Sequence, residues 1–119
     1  RACDNALRRK YGGNSIVAQN SLYSSMTLNG AIVAKRLGLP VYESHPKLLL
    51  RVFGENAIRE VYEEAVANSG ADHEGDAIVA AWCAAMGHEK KWVFDLYTDI
   101  QDDIERVVPE AHYPWFERL

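Results

Sequence analysis

The sequence predicts a helix-rich α/β domain with five or six helices and one or two short strands. Three observations carry that expectation. Apolar residues recur at helical spacing through most of the chain, in runs closed by Gly, by Pro or by Ser-Gly. One pentapeptide, PVYES at 40–44, is instead short, β-rich and alternating. The length of 119 residues, with 48% hydrophobic and 25% charged side chains, suits a single globular domain with a modest core.

Taken in order, residues 2–11 (ACDNALRRKY) read as a short helix stopped by Gly12-Gly13, and residues 12–21 as a loop. A second helix begins at Ser21 or Ser24, places Met26, Gly30, Val33 and Leu37 on one face, and ends at Gly38 and Pro40. PVYES follows as a strand, with Val41 and Glu43 on one face and Tyr42 on the other. Ser44-His45-Pro46 turns into the apolar helix KLLLRVF, which stops at Gly54. Residues 55–69 carry the cleanest period: Ile58, Val61, Tyr62, Ala65 and Val66 oppose Arg59, Glu60, Glu63 and Glu64, and Ser69-Gly70 breaks the helix.

The next stretch, ADHEGDAIVAAWCAAM at 71–86, organises the chain. Asp72 reads as its N-cap, and Asp72, Glu74 and Asp76 suit the positive end of a helix dipole. Its alanines, Ala77, Ala80, Ala81, Ala84 and Ala85, predict close packing on a neighbour. Beyond Gly87, a helix is predicted over roughly 94–105, and the residues around Pro109 and Pro114 form a strand or extended tail. The apolar cluster His112-Tyr113-Pro114-Trp115-Phe116 calls for a docking place, on its own core or on a second subunit.

Composition bounds the function. The formal net charge of −4 argues against a surface devoted to nucleic acid. The basic groups Arg8-Arg9-Lys10, Lys35-Arg36 and Lys90-Lys91 read as solvated faces, without interleaved aromatics. No run approaches the roughly 18 apolar residues of a membrane span, and the sequence shows no secretory n-region and h-region before the first helix. Cys3 and Cys83 are far apart in helical patterns and form no disulfide framework, so a reducing, cytoplasmic setting is expected. Cys83 reads as a small buried hydrophobe, and no Cys/His spacing supports structural zinc at His45 or His73. The chain opens on Arg1, directly in a helical pattern, which reads as a lost leader or as a piece of something longer. One strand, or two distant ones, cannot form a stable sheet alone. PVYES therefore needs a partner chain or a missing segment, and a homo-oligomer, a dimer first of all, is expected.

Four segments carry a resemblance. RACDNALRRK, VYESHP, GDAIVAAWCA and AHYPW, in that order, are similar to successive parts of a bacterial family of uncharacterised predicted nucleases with an RNase H-like fold. The spacing His73-x-x-Asp76-Ala resembles the last motif of the RuvC branch of that superfamily. The resemblance implies an incomplete RNase H-like domain, its C-terminal portion, in which strand-borne and helix-borne carboxylates converge on Mg²⁺ or Mn²⁺. Two such ions stabilise the attacking and leaving oxygens of a phosphodiester, and these hard cations take oxygen ligands. Glu43 and Asp76 are the implied metal ligands. Asp72, Glu74 and His73 are secondary candidates for a water, a second metal or a proton.

Plainer readings stand beside these: Asp72 as a cap only, Asp76 as a first-turn acid, Glu43 as a solvated strand end. The family's first-strand aspartate and first three strands have no counterpart here, which puts two-metal chemistry by this chain alone in doubt. Two functions therefore compete. One is a remnant or partial metal-dependent nuclease acting at Glu43 and Asp76. The other is a non-catalytic oligomeric binding or assembly protein that reuses the packed half of that fold.

Overall fold

The structure is a computed structural model, and it describes residues 2–12, 21–53, 56–100, 108 and 110–119, the side chains of 21–27 excepted. Among these residues six helices and two very short strands follow one another: α1 (Ala2–Tyr11), α2 (Ser21–Leu37), α3 (Pro46–Phe53), α4 (Asn56–Ser69), α5 (Asp72–His88), β1 (Phe94–Asp95), α6 (Leu96–Asp99) and β2 (Pro114–Trp115). The helix-rich α/β class holds, and α1 to α5 lie where periodicity places them. No helix among the described residues is long and apolar enough to cross a membrane.

Helix α5 is the pillar of the fold. Helices α3 and α4 and strand β2 all pack against it. The face it buries is not the alanine face that composition suggests. Gly75, Val79 and Cys83, spaced by four, are buried, whereas Ala77, Ala81 and Ala85 are exposed. Close approach comes from glycine. A Cβ on Gly75 would lie 2.6 Å from Cδ2 of Tyr62 on α4, and one on Gly87 would lie 2.7 Å from Cγ of Pro114 on β2. One glycine thus seats α4 against the first turn of α5, and the other seats the C-terminal tail against its last turn.

The N-cap of α5 is also shifted by one residue. Ala71 holds the extended cap backbone (φ −142°, ψ 154°) without a side-chain cap bond, and Asp72 is already helical. Its carboxylate is engaged by Lys47 instead. On α4 the predicted stripe is narrower than its pattern, because Ile58 and Ala65 are buried but Val61 is exposed.

The segment 40–44 forms no full strand. Tyr42 makes an isolated parallel bridge to His112, with Glu43 N–H donating to His112 O (2.7 Å) and His112 N–H donating to Val41 O (2.9 Å). Its pairing partner is thus the chain's own tail. The inference of a second subunit from an unpaired strand loses its premise. The tail then runs on as β2, antiparallel to β1 with Phe94 opposite Trp115 and Asp95 opposite Pro114.

The helix expected over 94–105 is replaced at its start by β1, and α6 is only the four residues Leu96–Asp99. The cause is local. Asp95 has an extended backbone and caps α6 by accepting the Tyr97 N–H (3.0 Å), which leaves Phe94-Asp95 free to pair with the tail. Residues 101–105 of that expected helix, and the loop expected at 13–20, lie outside the described residues.

The aromatic tail docks on its own core. Tyr113 and Trp115 are buried with Leu7, Leu48, Val79 and Leu96. Trp115 Nε1–H donates to Tyr11 Oη (3.1 Å), Tyr11 in turn donates to Glu117, and Lys10 reaches Arg118 O (2.9 Å). Burial, reinforced by Glu117, pushes the Tyr11 hydroxyl up to about 12. The first helix and the last residues are therefore one packed unit.

Candidate functional site

The acids singled out by sequence fall into two places. Asp72 and Asp76, one turn apart on α5, face Lys47 at the start of α3. The Lys47 ammonium donates to Asp72, lies 3.4 Å from Oδ2 of Asp76, donates to the Tyr62 hydroxyl (3.2 Å), and sits 5.8 Å from the centre of that ring. The bond to Asp72, helped by Tyr62 and Asp76, raises the Lys47 ammonium well above the usual lysine range. The same pair holds the Asp72 carboxyl below the usual carboxylate range. A single cation already occupies the position between the two carboxylates.

The remaining candidates do not complete a metal site. His73 lies 3.9 Å from Asp72, with its side chain 90% exposed, and Glu74 is exposed. Glu43 accepts a hydrogen bond from the Tyr97 hydroxyl, so its partner is α6. Among the described residues no three His, Cys, Asp or Glu side chains are grouped to hold a metal ion. The donor set implied by the resemblance does not fit Mg²⁺ or Mn²⁺ among the described residues, because an ammonium fills the gap between the acids and no third described carboxylate joins them. One feature keeps Asp76 notable: its Oδ1 is buried and has no hydrogen-bond partner.

The sequence reading missed a second polar cluster, where the tail crosses the 41–43 segment. Asp95 accepts three bonds, from Tyr97 N–H (3.0 Å), Tyr113 N–H (3.1 Å) and the imidazole Nδ1 of His112 (2.9 Å). Burial alone would push its carboxyl up, but these donors outweigh it and hold Asp95 below the usual range. Asp99 reaches back to accept the Asp95 N–H (2.8 Å). The His112 ring stacks on Tyr42, with centroids 5.4 Å apart and planes at 26°, and the Tyr42 hydroxyl is 3.0 Å from Nδ1 of His88 at the end of α5. These groups line a cleft of about 460 Å³ whose other walls include Lys90, Trp92, Val93 and Phe94. Only one local signal pointed here, an aspartate before Leu-Tyr with a second acid four residues on, which is a helix-start pattern. The two histidines are far from it in sequence.

The largest apolar exposure lies elsewhere. Leu28, Ile32, Val33 and Leu37 on α2, and Leu39 just beyond it, are exposed, Leu37 to 62%. No side chain from 28 to 37 is buried, and among the described residues α2 does not pack on α5 as α3 and α4 do. A groove of about 840 Å³ runs between Ala31, Ile32, Leu39 and Val41 on one side and the tail near Val108 and His112 on the other. No protein-family model matches the chain, and neither a curated protein nor a solved structure matches it.

Proposed function

We propose that this chain is a binding and assembly module built on the helical part of an RNase H-like fold, and that it self-associates through α2. The exposed apolar surface of α2 carries this reading. On a helical wheel Leu28 and Ile32 lie on one side and Val33 and Leu37 on the other, so α2 is apolar around much of its circumference. A helix of that kind is stable when it is covered. Covering these four half-exposed side chains would contribute about 3–6 kcal/mol. A second copy of the chain presents the same surface and is the simplest cover. Hydrogen exchange of the α2 amides at low and high protein concentration tests it. Slower exchange over 28–37 at high concentration is expected, and identical exchange at both would count against self-association.

The metal-dependent nuclease is the second reading, favoured by the buried, unpartnered Oδ1 of Asp76. It requires that a divalent ion displace Lys47 and find further carboxylates. Titration calorimetry with Mn²⁺ separates the readings. A structural ion pair predicts no heat for the native protein. Binding by the native protein that disappears in Asp76→Ala would restore the metal site.

A further inference from the structure

Beyond assembly, we propose that the cleft lined by Tyr42, His88, Lys90, Trp92, Asp95 and His112 binds a small flat organic anion, and does so under mildly acidic conditions. The cleft is open to solvent on one side, and aromatic walls and a few polar groups line it. Its volume of about 460 Å³ suits a ligand of one or two rings.

Charge sets the sign of the ligand and its pH dependence. Lys90 lines the cleft, and among the described residues no ion pair engages it. Its backbone is left-handed (φ 54°), a conformation where glycine is the easy choice, yet a lysine stands there. Asp95 and Asp99 also line the cleft, and both are already engaged. Asp95 is taken up by two backbone N–H groups and His112, and Asp99 by the Asp95 N–H. With both imidazoles neutral, one ammonium faces two carboxylates. With both protonated, three cations face the same two. Protonation of the two imidazoles therefore turns the cleft from net negative to net positive.

The imidazoles are well placed for this. Nδ1 of His112 is bonded to Asp95 and Nδ1 of His88 to Tyr42, so Nε2 of each ring is the nitrogen left for a ligand. His112 is fixed further by its two backbone bonds to the 41–43 segment and by stacking on Tyr42. On its far side His112 also borders the α2 groove, where Lys35 and Glu110 are the charged lining residues and offset each other. Trp92 supplies a rigid wall, since it packs edge-on against Trp82 at 5.4 Å and 80°. Its indole Nε1–H is buried without a hydrogen-bond partner.

Calorimetric titration of the full chain with benzoate and with phenyl phosphate, at about pH 5.5 and about pH 8, tests the proposal. Binding of at least one probe is expected at the lower pH, weaker by about tenfold or more at the higher. The two arms tell a carboxylate site from a phosphate site. Lys90→Gly suits the left-handed backbone and leaves folding intact, and His88→Gln changes an exposed ring. The first should weaken binding at both pH values, and the second should flatten the pH dependence. Ring signals of His88 and His112 should shift during the titration. Absence of binding by both probes at the lower pH would overturn the proposal, as would an affinity indifferent to pH and to both substitutions, or ring signals that do not move.

Discussion

Two residues do most to define the chemistry of this chain, and neither looks exceptional in the sequence. Lys47 turns a pair of acids at a helix start into an ion-pair cluster. Asp95 gathers two backbone N–H groups and an imidazole, and thereby ties β1, α6 and the tail together. Replacing Asp95 with Ala leaves those donors without an acceptor, and a loss of about 2–4 kcal/mol in urea unfolding is expected. Its pH dependence follows from the lowered carboxyl. The contribution is fully present above the unfolded carboxylate range, near about pH 4, and is lost as pH falls through the lower folded value. Stability of the native protein should therefore fall below about pH 4 more steeply than that of Asp95→Asn.

At the scale of elements, the contacts of α5 are set by glycine. Gly75→Ala would press a methyl group to within 2.6 Å of the Tyr62 ring and 3.1 Å of Val66. That overpacking should cost about 1–3 kcal/mol and should also disturb the Lys47–Tyr62 bond. Gly30→Ala on α2 meets nothing within 4 Å in the single chain, and the gain in helix propensity should stabilise the monomer by about 0.5–1 kcal/mol. Opposite signs in thermal unfolding are the check. The same contrast explains how much could be read beforehand. Helices α1 to α5 were legible because Gly, Ser-Gly and Pro punctuate an apolar period, as at Gly38, Gly70 and Pro46. The buried face of α5 was not, because an alanine-rich helix has no strong period and its contact depends on where glycine meets an aromatic ring.

The pairing of Tyr42 with His112 was equally hidden. It joins residues 70 positions apart, and no local pattern reports such a contact. Of the candidate site, the sequence showed the acids Glu43, Asp72 and Asp76 but not the groups that answer them, because Lys47 and Tyr97 belong to other elements. The histidine cleft was missed for the same reason, since His88, Asp95 and His112 converge only when the tail folds back.

For the whole molecule, the tail closes the fold. It buries Tyr113 and Trp115 and completes the pairing that the 40–44 segment needs. What remains open is α2, with Leu28, Ile32, Val33 and Leu37 on its surface. Sedimentation velocity over a range of protein concentrations tests the central claim most directly. The native chain should sediment as a dimer or larger species, and Leu28→Glu with Leu37→Glu should yield a folded monomer, because charge on both sides of α2 opposes its burial. A native chain that stays monomeric at every concentration, or a double variant that associates as well as the native chain, would contradict assembly through α2.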